Sequence, residues 1–459
     1  MNSRFHTLAL ACLFLSVPAL LPAQPAIISD YKKDAHRIIS EALKDDEAFN
    51  YLTLFVDTFG HRFSGSESLE RSIDWIVSEM KKDDFDSVTT QKVMVPRWVR
   101  GKESATMIAP REKQLPMLGL GNSVATPEEG IEAEVLVVSS FEDLQQQSDQ
   151  AKGKIVVYNV PFTTYGQTVQ YRVNGAVEAA KAGAVASLIR SVGPFSMKTP
   201  HAGNSYYQDG VEQIPHAAIT LEDAALLHRL QMRGETVKIR LYMEAHTLPD
   251  TESRNIIAEI KGSEKPEEIV VLGGHIDSWD VGQGAMDDAG GSFAAWEALR
   301  LIKKLGLQPR RTVRVVMWTN EENGLRGANA YRDMVQEDGS LKNHILAMES
   351  DAGVFEPTGF GFTGTDEAFE IVTEIGKLLE PIGADSITRG GGGADIGPIM
   401  RAGNVPGMGL AVDGTKYFWY HHTDADTIDK LDVDEYNKCI AAMAIMAYVA
   451  ADIPQALPK

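Results

Sequence analysis

From Asn255 to the end of the chain, short β-branched runs alternate with segments whose apolar residues recur every three or four positions. That alternation leaves few architectures open. Residues 269–272 precede a helical pattern at 291–304; 313–318 precede one ending at 335; 345–348, 367–379 and 434–451 complete the series. Strands alternating with helices pair in parallel and bury both faces, so the fold class is α/β, a mostly parallel mixed sheet with helices on both faces. In such sheets ligands bind beyond the carboxyl ends of the strands.

Those ends carry the polar residues that need explaining. Gly273-Gly-His275-Ile-Asp277 and Gly284-Ala-Met-Asp287-Asp288 follow the first run, Asn320-Glu321-Glu322 the second, and Glu349-Ser350-Asp351 the third. A later loop reads Tyr420-His421-His422-Thr423-Asp424-Ala-Asp426-Thr427. Singly, each is more often a helix cap or a packed side chain. Jointly they offer oxygen and nitrogen donors without a thiolate, which suits zinc or another divalent ion in an open site; a bridging carboxylate suits two ions about 3.5–4 Å apart. Adjacent glutamates on a turn point in different directions, so one suits a metal ligand and its neighbour a general base.

The rest of the chain sets bounds. Arg4 followed by an apolar stretch from Leu8 to Leu21 and a small residue at Ala23 predicts an export signal over 1–23; Pro18 and Pro22 interrupt it too soon for a membrane anchor. Cys12 fits a lipoprotein site poorly. A formal charge of −20, one unit more negative once Arg4 is removed, argues against nucleic acid and anionic membrane surfaces as partners. Cys439 is then the sole cysteine, so no intrachain disulfide forms. Residues 30–82 read as helices at 35–55 and 68–80. Residues 110–240 read as short strands around one clear helix at 175–182, with runs at 133–138, 154–160, 184–189 and 217–230. The expected organisation is therefore 24–109, an insert at 110–248, and 249–459 carrying the metal site.

Taken together, Gly-Gly-His-Ile-Asp-Ser, Gly-Ala-Met-Asp-Asp, Asn-Glu-Glu, Glu-Ser-Asp and His-His-Thr-x-x-Asp-Thr resemble the dinuclear zinc exopeptidases typified by bacterial leucyl aminopeptidase and glutamate carboxypeptidase. The resemblance extends over essentially the whole mature chain, His61 to Ser66 being similar to the family's opening motif and 153–184 to an inserted protease-associated domain. It implies two zinc ions, with Asp287 as the bridge, His275 and Asp351 on one ion, and Glu322 and His422 on the other. It further implies that Glu321 is the general base and that the Asp277 carboxylate orients the His275 imidazole. His421 falls where some relatives place a carbonyl-polarising tyrosine, with Tyr420 competing for that role. Position in the family puts the glycine-rich run with Gly392 and Gly393 at the substrate pocket, and Arg389 there as a clamp for a substrate carboxylate. The implied activity is hydrolysis of dipeptides or short peptides, with homodimerisation as in relatives. Alternatives are an aminopeptidase acting on longer peptides, a glutaminyl-cyclase-like transferase, which metal stoichiometry would distinguish, and a non-catalytic receptor-like ectodomain, which the intact ligand set disfavours. Gly359 to Gly364 matches a nucleotide fingerprint but lies well beyond a strand end, so it reads as coincidence.

Overall fold

The computed structural model describes residues 27–459; the expected export signal at 1–23 lies outside them. Two eight-stranded sheets organise these residues. In the first, Lys265–His275 runs parallel to Arg311–Trp318 on one side and to His344–Glu349 on the other, and Gly407–Val412 extends the parallel core. The flanks are antiparallel: His246–Ile260 beside Arg311–Trp318, Ser87–Val99 outside it, and Pro357–Thr363 beside Gly407–Val412. Ser386–Arg389 closes the far edge.

Side chains two apart along a strand share a face. Val270 and Leu272, with Val313, Val315 and Met317, enter the large core beneath helices Gly290–Lys304 and Val433–Asp452. Val271, Val316 and Trp318 enter a smaller cluster beneath Arg326–Glu337. Helices thus cover both faces. The expected helix at 35–55 is divided into Ile27–Ala42 and Glu47–Phe59, because the Asp45 carboxylate accepts the Glu47 N–H at 3.0 Å and starts a new helix.

The long ribbon of Ser87–Val99 with His246–Ile260 was not among the expected elements. It leads out to the second sheet, whose strands run in the order 113–115, 103–109, 238–243, 131–138, 155–158, 186–190, 216–219, 117–119. This unit begins with Glu103–Ala109, ahead of the expected position 110. It carries more helix than its sequence texture announced: after strand His216–Ile219, Thr220 accepts the Asp223 N–H at 3.1 Å and starts helix Leu221–Met232, so 217–230 is not a run of strand.

The two units share a core. Phe63, Trp279 and Val281, from loops of the first unit, are buried with Trp98, Leu188, Ile219, Leu241 and Met243. The Phe63 and Trp279 rings lie 4.8 Å apart, and Arg100 Nε donates to Asp280 Oδ2 at 2.8 Å.

Candidate metal centre

Three parallel strands ending at the same edge place the acids together. His275 closes the first strand, Glu321 follows Trp318 by three residues, and Asp351 follows Glu349 by two; His275 pairs with Trp318 and Gly273 with Glu349 in the register. The connecting turns are held by side chains. Asp426 accepts the main-chain N–H groups of Ala285, Met286 and Asp287 at 2.8–3.2 Å, fixing the turn that presents the Asp287 carboxylate. Asp288 does the same for His275 and Gly291, both at 3.1 Å. Arg62 is wholly buried and donates to the carbonyls of Gly60, Ile276, Gln283 and Gly284, so it braces the loops through their main chain.

The Asp287 carboxylate faces two imidazoles. Its Oδ1 lies 3.2 Å from His275 Nε2, and its Oδ2 lies 3.3 Å from His422 Nε2. On the first side Asp351 Oδ1 is 3.4 Å from His275 Nε2; on the second Glu322 Oε2 is 3.1 Å from His422 Nε2. His275 Nδ1 donates to the carbonyl of Asp277 at 2.9 Å, which turns Nε2 toward Asp287 and Asp351. Glu322 is steadied by the Trp279 N–H at 3.1 Å, and His422, at φ 60°, by the Ala202 N–H to its carbonyl at 2.8 Å.

Burial governs the electrostatics. It pushes Asp287 up, yet His275 and His422 outweigh it and hold that carboxyl well below the usual range. Burial and then Asp287 push Glu322 up to about 7. Glu321 is lifted well above the usual glutamate range by burial and by the carboxylates of Asp351, Glu322 and Asp277. Burial opposes charge on His422, but Glu322 and Asp287 lift it to about 10. His421 is held well below the usual range by burial and by its neighbour His422, with the two rings stacked 3.5 Å apart.

Such a set of buried acids is costly without cations. Asp287 Oδ2 makes no hydrogen bond despite its burial. Donor atoms of His275, Asp287 and Glu322 lie within 4.8 Å of one another, as do those of Asp287, His421 and His422, and those of His275, Asp288 and Asp351. Oxygen and imidazole donors flanking one two-sided carboxylate fit divalent metal ions.

Comparison with known proteins agrees with this geometry. Residues 255–447 match the model of peptidase family M28. The chain is 51% identical to carboxypeptidase Q of Xenopus laevis over 435 residues, covering 94% of this chain and 92% of that protein. The chain belongs to peptidase family M28. Human carboxypeptidase Q is 49% identical, with 90% and 87% of the two chains covered. A solved M28 peptidase precursor from Shewanella amazonensis superposes with a TM-score of 0.90 at 34% identity, covering 94% and 99%. A zinc aminopeptidase from Bacillus subtilis shares the fold, with a TM-score of 0.65 at 22% identity and 89% and 95% covered. Membership makes the chain a metallopeptidase.

Within this M28 chain, the expected residues His275, Asp287, Glu321, Glu322, Asp351, His421 and His422 converge on one site. A cavity of ≈ 490 Å³ opens over them. Asp277 is also there, but its role differs from expectation. Its main-chain carbonyl, rather than its carboxylate, holds the imidazole; Oδ1 is 3.8 Å from His275 Nδ1 and accepts the Glu321 N–H at 3.0 Å, while Oδ2 accepts from Glu322 N–H and the Ser64 hydroxyl.

Arg389 is not brought to the cavity: it pairs with Asp366 at 2.6 Å and lies over the Phe369 ring on the edge strand. Gly392 and Gly393 do not line the cavity either; Gly393 lacks a side chain because the Glu349 carboxylate fills that space, 2.0 Å from where a Cβ would stand. Tyr420 is not among the residues lining the cavity. The cavity wall is completed by residues that sequence reasoning passed over: Tyr417, one helical turn before His421, and Tyr165, Arg172, Asn204 and Tyr206 of the second unit. Only the Tyr-Phe-Trp-Tyr run beside the histidines carried a signal for any of these.

Proposed function

We propose that this chain is an exported dinuclear zinc exopeptidase acting on dipeptides or short peptides. The observation that carries the reading is the two-sided Asp287, with His275 and Asp351 at one oxygen and His422 and Glu322 at the other. These five residues would hold two zinc ions. When bound, zinc lowers the pKa of an attacking water toward about 7 and polarises the scissile carbonyl.

The chain's own residues supply the proton handling and orientation. Glu321, fixed through its main-chain N–H by Asp277, takes a proton from the attacking water on a carboxylate oxygen. It returns that proton to the departing amine as the C–N bond breaks. The acidic wall of Glu321, Glu322 and Asp351 favours a positively charged amino terminus, and Arg172 is the arginine or lysine among the lining residues. Arg172, rather than Arg389, then takes the substrate's free carboxylate. Recognition of both termini restricts substrates to short lengths, and a cavity of ≈ 490 Å³ suits small ligands.

The same reading includes the second unit as a protease-associated domain, export through 1–23, and a homodimer. N-terminal sequencing of the exported protein tests the second point and light scattering the third. The central test is a panel of free, amino-blocked and carboxyl-blocked dipeptides, with metal analysis of the parent and of Glu321→Gln. Efficient cleavage of blocked dipeptides sinks the dipeptidase reading, and retained hydrolysis in Glu321→Gln sinks the general-base assignment.

A further inference from the structure

Tyr417 begins the single-turn helix Tyr417–Tyr420, and its carbonyl accepts the His421 N–H at 3.0 Å. That turn aligns the two side chains. Their rings lie 5.1 Å apart, and Phe418 meets the Tyr417 ring edge-on at 5.0 Å, so the phenol is held from two sides. It lines the cavity together with Asp287, Glu321, Glu322, Asp351 and His422.

The Tyr417 hydroxyl makes no hydrogen bond to another described residue, whereas several other polar groups around the cavity are engaged. Asp426, Asp288 and Asp277 hold main-chain N–H groups, and the Tyr165 hydroxyl accepts from Arg172 Nη2 at 2.6 Å. His421 directs Nε2 at Asp287 Oδ2 from 3.7 Å, toward the carboxylate that His422 also faces. Tyr420 does not line the cavity. A free O–H donor on the wall of a hydrolytic site is placed for the oxygen that gains charge when the carbonyl carbon becomes tetrahedral.

We infer that the Tyr417 hydroxyl donates this hydrogen bond and is a catalytic residue for peptide hydrolysis, a role His421 and Tyr420 do not fill. The inference rests on the dinuclear peptidase reading above. The bond is weak to the planar carbonyl and strengthens as negative charge accumulates on its oxygen, so it acts on turnover more than on substrate binding.

The test is Tyr417→Phe in the full chain loaded with zinc, which keeps the ring and removes the donor. The expected result is a roughly hundredfold lower kcat, with KM and zinc content unchanged. A phosphinic dipeptide analogue, whose tetrahedral phosphorus carries the charged oxygen, should lose affinity in proportion, while the product amino acids bind as before. A kcat within about threefold of the parent overturns the inference, as does a fall in kcat with no loss of phosphinate affinity. His421→Gln serves as the competitor: if it alone shows the phosphinate defect, the donor is His421. Glu321→Gln is measured alongside, and its retained hydrolysis would reject the underlying reading whatever Tyr417→Phe shows.

Discussion

Asp277 holds His275 with its main chain, through a 2.9 Å hydrogen bond from Nδ1 to its carbonyl, while its carboxylate serves the Glu321–Glu322 turn. Orientation of the imidazole and of Glu321, the proposed general base, are therefore separable. Asp277→Asn should leave zinc content intact, because the carbonyl remains, yet lower kcat roughly tenfold to a hundredfold by loosening Glu321. Zinc analysis and steady-state kinetics on one preparation check this; loss of zinc with the activity would restore the carboxylate–imidazole pairing.

Asp426 accepts three buried N–H groups around Asp287. Asp426→Ala leaves them without partners, at about 1–3 kcal/mol for each group left unsatisfied. We expect a lower urea midpoint together with weaker zinc retention on dialysis against a chelator. A destabilised variant with parental zinc affinity would detach this turn from the metal site.

Arg389 and Arg172 divide the two readings of carboxylate recognition. Arg389→Ala should leave KM for free dipeptides unchanged, because that side chain is engaged with Asp366 and Phe369. Arg172→Gln should abolish the preference for free over amidated carboxyl termini, raising KM for the free form by roughly tenfold or more, as for a lost charged hydrogen bond. An unchanged preference ratio would remove Arg172 from substrate recognition.

Two buried histidines outside the candidate ligand set impose an acid limit. Burial drives His216 and His344 down to about 4, whereas in the unfolded chain they titrate near 6.5. Between about pH 6.5 and 4 the unfolded state binds more protons, so stability falls as pH falls through that window, by on the order of a few kcal/mol in all. Urea midpoints measured across this range should show the slope, and His344→Gln should flatten it. An unchanged slope in that variant would mean His344 titrates normally.

The convergence of the candidate metal ligands was legible because these residues sit at the ends of β-branched runs, where one strand's worth of sequence fixes position. His275, Glu321, Glu322 and Asp351 are each read locally in that way, and the parallel core and its helices follow from the same periodicity. What escaped depends on distant contacts. Nothing around Arg172 or Asn204 indicates that a separate sheet closes over the histidines. The ribbon joining Ser87–Val99 to His246–Ile260 brings together strands roughly 150 to 170 residues apart, and no local pattern announces such pairing. Arg389 and the glycine run were misplaced because family position locates a loop more coarsely than it locates a side chain. Tyr417 and Tyr420 stand three residues apart on a single turn, and packing alone decides which of them reaches the cavity.

Trp279 lies in the core of the second unit while its main-chain N–H steadies Glu322. The second unit is thus no detachable accessory. A descendant that lost it, or exchanged it for a foreign module lacking the matching aromatic pocket, would expose Trp279 and forfeit its grip on the peptidase loop in one event. Selection on hydrolysis should bind the two halves into a single heritable unit, with changes around Trp98, Phe63 and Trp279 tolerated only when they arise together.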